Sequence, residues 1–255
     1  MDIQVSTLTI NLHGRSDRWL ERRPFLVGQL LEARPDLIGL QEVDFSMRQG
    51  VWLRKQLNMR LSGSEKEPYQ LVQSRSRRVL RRASTGVGVL SRLPVLYHES
   101  LPLGEGGWVA LRVHVGLPSH KTMDFVSVRL LDVPYEHEAR LEQAMRLVGW
   151  LRSYKHVPIQ VIAGDFSETP QGLAMGYFKQ SFRSTYEVRR AHEPLATFPT
   201  ALRSDVLQAR CLDYILISTA VQRVLDAHII CNKHAPEDNT LYPSDHVGLF
   251  AMLEV

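Results

Sequence analysis

Residues 158–167 read Pro-Ile-Gln-Val-Ile-Ala-Gly-Asp-Phe-Ser. The stretch 158–163 is an apolar run with β-branched residues behind a proline, the pattern of a strand. It runs straight into Gly164-Asp165-Phe166, so a carboxylate stands where the strand ends. A strand end can aim a side chain into a cleft. Similar runs predict further strands over 3–12, 37–43, 69–73, 86–90, 108–115, 123–131, 211–218, 221–230 and 247–253. The clearest helix spans 135–151, with Leu141, Met145, Val148 and Leu151 on one face. Another spans 19–33, with Asp17 or Ser16 placed to cap it and Arg34-Pro35-Asp36 to break it. Residues 45–57 are a third candidate, and a weaker helix follows Pro170.

About ten strands exceed what one flat sheet usually holds, so two packed sheets with helices outside are expected. No repeat or low-complexity linker interrupts the chain, which reads as one domain over 1–255. The polar, Arg-rich stretch 62–84 reads as a loop or irregular hairpin.

The 255 residues carry 31 Lys+Arg against 27 Asp+Glu, a formal net charge of +4. Hydrophobic residues make up 44% and charged residues 23%, which excludes a disordered chain and a coiled coil. No apolar run has the length of a membrane-spanning helix. The opening residues lack the basic-then-apolar pattern of a signal peptide, so a cytoplasmic protein is expected. Cys211 and Cys231 make no disulfide framework and read as free thiols. The basic residues are 25 Arg and 6 Lys, and 1–128 carry a net +6 while 129–255 carry −2. Arginine suits bidentate contact with phosphate, although a GC-rich genome supplies it too.

Four short segments are read as ending strands with polar residues: Ile10-Asn11-Leu12, Leu40-Gln41-Glu42-Val43, Gly164-Asp165-Phe166-Ser167 and Ser244-Asp245-His246. Leu212-Asp213-Tyr214-Ile215 places a further Asp beside an apolar run. Glu42, Asp165 and Asp245 together would make a hard, oxygen-rich site suited to Mg²⁺ or Mn²⁺. His246 can exchange protons near neutral pH. Singly, each segment also reads as a turn or cap. Their joint order is what marks them.

That order resembles the endonuclease/exonuclease/phosphatase superfamily, the DNase I-like fold, over almost the whole chain. Gln41-Glu42, Gly164-Asp165-Phe166 and Ser244-Asp245-His246 are the specific matches. Asn11, residues 86–92, Ala196-Thr197-Phe198-Pro199 and residues 212–215 agree in order and spacing. The resemblance implies an α/β four-layered sandwich of two packed mixed β-sheets flanked by helices. It also implies metal-dependent cleavage of a phosphodiester or phosphomonoester, usually with Mg²⁺, in a nucleic acid or a small phosphodiester. Carried over, Glu42 binds the metal, helped by Asn11 and Asp245. Asp165 positions or deprotonates the attacking water. His246 contacts the phosphoryl group or transfers a proton, with Asp213 orienting its ring.

Two positions depart from the pattern. Ser167 stands where the family has Asn, and offers one donor on a shorter arm. The strand over 123–131 lacks the histidine many members carry; Arg129, or else Leu130, takes its place. An arginine there can hold phosphate but cannot act as an acid or base. A degenerate member that binds a phosphorylated ligand without turnover is therefore the rival reading. From another class comes a nucleic-acid-binding module using Arg75, Arg77, Arg78, Arg81 and Arg82, against a solvated loop. Trp19, Trp52 and Trp150 read as core anchors, His13 and His137 as surface or supporting groups, and Trp108 as a cleft-lining side chain.

Overall fold

Strict alternation along the central strands builds the layers. The computed structural model describes residues 3–61, 63, 67–76, 85–104 and 107–255. Its elements, in chain order, are β1 (Gln4–Asn11), α1 (Trp19–Ala33), β2 (Leu37–Asp44), α2 (Gln49–Arg60), β3 (Gln70–Arg75), β4 (Thr85–Ser91), β5 (Val95–Pro102) and β6 (Val109–Gly116). There follow β7 (Thr122–Arg129), α3 (His137–Arg152), β8 (Gln160–Asp165), α4 (Leu173–Phe178), β9 (Phe182–Ser184), α5 (Thr185–Arg190), β10 (Asp213–Ser218), β11 (Arg223–Ile230) and β12 (Gly248–Glu254). They form two six-stranded sheets, ordered β11-β12-β1-β2-β4-β3 and β5-β6-β7-β8-β10-β9. Both are mixed: β1–β2 and β7–β8 pair parallel, the other neighbours antiparallel.

Three apolar clusters fill the sandwich. Val5, Leu37, Val89, Val113, Phe125, Val161, Ile215 and Leu253 pack between the sheets. Leu8, Ile10, Ile38 and Leu40 point the other way, onto Leu26, Val27 and Leu30 of α1 and Leu53 of α2. On the far side, Val126, Val128, Ile162 and Leu216 meet Ala144, Leu147, Val148 and Leu151 of α3 and Met175 and Phe178 of α4. The order is helix, sheet, sheet, helix, as the two-residue period of the strands dictates. Trp19 of α1 meets Trp52 of α2 edge-on at 5.8 Å, which fixes the outer helical pair.

Some local expectations are corrected. Helix α2 starts at Gln49, four residues beyond the expected 45, because Asp44 Oδ1 accepts from Ser46 Oγ (2.6 Å) and the Met47 N–H (3.0 Å), closing a turn. Helix α1 carries no side-chain cap: Arg18, in a left-handed conformation, holds the N-cap position. Met145 is 50% exposed, since the buried stripe of α3 instead runs through Arg140, Ala144, Leu147 and Leu151. Strand β5 was not expected, because as an edge strand it leaves Leu96, Tyr97 and His98 in solvent and shows no alternation. Arg75 ends β3, with its guanidinium over the Phe45 ring at 5.0 Å. Arg77, Arg78, Arg81 and Arg82 lie outside the described residues. Among the described residues no helix is long and apolar enough to cross a membrane.

Candidate active site

The same alternation delivers polar groups to one end of the sandwich. On β1 the inward positions are Thr7, Thr9 and Asn11; on β7, Phe125, Ser127 and Arg129; on β8, Val161, Ala163 and Asp165; on β10, Asp213, Ile215 and Ile217. Arg129 and Asp165 are register partners on β7 and β8, and Asp165 and Asp213 on β8 and β10. Register thus sets Arg129, Asp165 and Asp213 side by side, and it places Leu130 in the outer core, leaving Arg129 at the site. Gly164 lets β8 lie this close to β7, since a Cβ there would sit 2.0 Å from the Val128 carbonyl oxygen.

Strand β2 uses a bulge. Its pairing with β4 shifts between Leu40 and Val43, and Glu42 has φ of 51°. The bulge breaks alternation, so Gln41 and Glu42 both serve the site side while Val43 returns to the helix-facing core. Gln41 bridges the sheets: it accepts from Thr9 Oγ1 (3.1 Å) on β1 and donates to Ser127 Oγ (3.1 Å) on β7.

At the centre, Asn11 Nδ2 donates to Glu42 Oε1 (3.1 Å) and to Asp165 Oδ2 (3.0 Å), while its Oδ1 accepts from the His13 N–H (2.8 Å). Two carboxylate acceptors on one side and an N–H on the other define the amide's orientation. Arg129 Nη2 is 2.8 Å from Glu42 Oε1 and 2.8 Å from Asp132 Oδ2, and its Nε is 3.6 Å from Asp165 Oδ2. Burial opposes this guanidinium's charge, but Glu42, Asp165 and Asp132 outweigh it and hold the side chain ionised. Asp165 Oδ1 accepts from the Ser167 N–H (2.8 Å) and hydroxyl (3.2 Å).

His246 Nδ1 is 2.8 Å from Asp213 Oδ2. Burial disfavours the imidazolium, but the charge and hydrogen bond of Asp213, with the charges of Asp165 and Asp245, push its pKa up. Burial pushes the Asp213 carboxyl up as well, against the opposing pull of His246. The Phe198 ring covers His246 at 4.8 Å, and Thr197 Oγ1 accepts from the Asp213 N–H at 3.1 Å. His13 Nδ1 lies 2.9 Å from Asp245 Oδ2, and its Nε2 2.6 Å from Asp17 Oδ2. A neutral imidazole has one N–H, so two carboxylate partners favour the imidazolium. Burial opposes that charge, but Asp245 foremost raises the His13 pKa. Asp245 is held down at about 2: burial alone would raise it, and the His13 hydrogen bond with the charges of His246 and His13 prevails.

Glu42 and Arg129 line a cleft with Ser76, Thr85 and Trp108. Glu42 opens to it, with its side chain 22% exposed. Its carboxylate has the hard-oxygen chemistry of Mg²⁺ or Mn²⁺, and Mg²⁺ commonly uses one or two carboxylates plus water and substrate phosphate. A wider ligand set is not assembled. Among the described residues no three His, Cys, Asp or Glu side chains gather as a metal site. Asn11 has turned its oxygen to the His13 backbone, and Asp245 is committed to His13 and to Ser244 Oγ (3.2 Å). Among the described residues Glu42 is a carboxylate that opens to the cleft and could hold a cation, on an oxygen that Arg129 and Asn11 also hold.

Asn11, Glu42, Arg129, Asp165, Ser167, Asp213, Asp245 and His246 all lie at this end, and supporting residues not singled out from the sequence join them. Arg22, fully buried, donates to the carbonyls of Leu12, Gly14, Ser16, Asp17 and Pro243 at 2.9–3.0 Å. It ties the loop bearing His13 to the segment bearing Asp245 and His246. Glu168 follows the Asp165 turn and is buried against Arg140 Nε (3.0 Å) and His137 Nδ1 (3.0 Å). Neither was legible as such: an Arg or Glu in an amphipathic stretch looks solvated until its carbonyl or ionic partners are known.

The sequence model of the Endonuclease/Exonuclease/phosphatase family matches residues 8–246. Among curated proteins none matches the sequence. Solved structures match in fold. An endonuclease/exonuclease/phosphatase from Bacteroides vulgatus is similar with a TM-score of 0.78, 18% identity and 99% of each chain covered. The human Nocturnin catalytic domain with bound sulfate anion is similar at 0.79 and 17% identity, covering 99% of this chain and 94% of that one. A mannosyl-6-phosphatase from Bacteroides thetaiotaomicron is similar at 0.78 and 15% identity, covering 98% of this chain and 99% of that one.

Proposed function

The chain belongs to the endonuclease/exonuclease/phosphatase family, and on that premise we propose that it hydrolyses a phosphoester bond by attack of a water held at Asp165. The observation that carries the reading is the Asp213–His246 pair, 2.8 Å apart, set beside Asp165 by the β8–β10 register. Asp165 has one oxygen anchored by Ser167, which aims the carboxylate to orient a water and accept its proton. The His246 imidazolium, kept charged by Asp213, donates a hydrogen bond to a phosphoryl or departing oxygen. Arg129 adds positive potential where charge develops on phosphorus oxygens. Glu42 would hold a divalent cation, Mg²⁺ or Mn²⁺, which when bound would further neutralise that charge. The substrate class is a nucleic acid or small phosphodiester, or a phosphomonoester such as the family also takes. Two buried free thiols, Cys211 and Cys231, suit a reducing, cytoplasmic setting.

A second reading, ligand binding without turnover, is favoured by Ser167. Its hydroxyl turns back to Asp165 at 3.2 Å, in the place where the family has an asparagine. A screen with Mg²⁺ and Mn²⁺ over single- and double-stranded DNA, RNA, bis-p-nitrophenyl phosphate, p-nitrophenyl phosphate and inositol phosphates separates the two. Turnover lost in Glu42→Ala supports the enzyme. Ligand binding with no turnover on any of them supports the second reading.

A further inference from the structure

We propose that Arg129 and a divalent cation are alternative occupants of Glu42, so that the guanidinium acts as a built-in cation that must leave this carboxylate before the metal is held. The inference rests on the metal-assisted reading above, but its test does not depend on turnover. One guanidinium reaches Glu42 Oε1 and Asp132 Oδ2, each at 2.8 Å, with its Nε at 3.6 Å from Asp165 Oδ2. It does at these carboxylates what a dication would do: it joins them and cancels their repulsion. Placing a dication on Glu42 with Arg129 unmoved brings like charges together within a few ångströms, in a cleft that screens them less than bulk water.

The arrangement also supplies an exit. Asp132 is 41% exposed on the loop after β7, so Arg129 can keep that partner while releasing Glu42. A phosphorylated substrate entering the cleft can then accept from the Nη2 N–H that Glu42 gives up. Metal entry and substrate capture are then linked through one side chain. A histidine here, which the family pattern leads one to expect, would carry no permanent charge and impose no such exchange.

The test is direct Mn²⁺ binding, read by the electron paramagnetic resonance signal of free Mn²⁺, on the whole chain at neutral pH. Arg129→Met and Arg129→Gln are expected to bind Mn²⁺ at least about tenfold more tightly than wild type, since each removes the competing charge. Adding Glu42→Gln to either should abolish the gain. Two substitutions of different polarity, each with a thermal melt, guard against one variant failing to fold. Unchanged or weaker Mn²⁺ affinity in both folded variants overturns the proposal, as does a gain that survives Glu42→Gln. Hydrolysis lost for other reasons leaves this readout untouched, so failure of the catalytic reading and failure of the exchange are distinguishable.

Discussion

Asn11, at the end of a strand in one sheet, donates a 3.0 Å hydrogen bond to Asp165, at the end of a strand in the other. The same amide nitrogen holds Glu42 at 3.1 Å. One neutral side chain thus spaces two carboxylates across the sandwich and fixes the distance between its halves at the site.

Asn11→Asp replaces this donor with a third carboxylate. The substitution should cost about 1–3 kcal/mol of stability, the range for leaving buried polar groups mismatched. Urea unfolding measures it, and hydrolysis should fall at least as sharply as for Asn11→Ala.

Arg22 makes no contact with Glu42 or Asp165, yet the site depends on it. Arg22→Met leaves three buried carbonyls, of Leu12, Gly14 and Pro243, without their donor and should destabilise by about 2–4 kcal/mol. Arg22→Lys should not rescue it, because an ammonium has three donors and no fork. Denaturant midpoints for the two variants check the ordering.

Ser167 adopts φ of 49°, a left-handed conformation that Asn accepts more readily than Ser. Ser167→Asn should therefore leave stability unchanged or raise it by a few tenths of a kcal/mol. It should also raise kcat by about tenfold or more, because an extra preorganised donor strengthens transition-state binding. A melt and steady-state kinetics read both effects.

Cys211 and Cys231 are buried, and burial pushes each thiol up to about 12. Neither should react with Ellman's reagent in the native protein at neutral pH. Both should react at once in guanidinium chloride, giving two thiols per chain. Rapid native labelling would contradict the described burial.

Two packed sheets with helices outside could be read from the apolar runs because about ten strands exceed what one flat sheet usually holds, and the resemblance implied the four layers. Asp165 and Glu42 were legible because each stands at the end of an apolar run with a chemically able group, whereas His246, in the loop before β12, was marked by the Ser-Asp-His resemblance. The partners they hold were not. Nothing in Leu40-Gln41-Glu42-Val43 announces a bulge, and without it Glu42 would face the helices. Asn11 and Asp245 were assigned to the metal by the resemblance; that His13 engages the Asn11 amide oxygen and the Asp245 carboxylate could not be read from residue type. The register of β7 against β8 likewise decided between Arg129 and Leu130.

The proposed hydrolysis of a phosphoester bond by Asp165 and the Asp213–His246 pair is tested most directly by metal-supplemented hydrolysis of bis-p-nitrophenyl phosphate by wild type, Asp165→Asn and His246→Gln. Wild type should turn over, and turnover should fall by about 10²-fold or more in each folded variant, the range for removing a positioned acid or base. Turnover that survives both substitutions would contradict it.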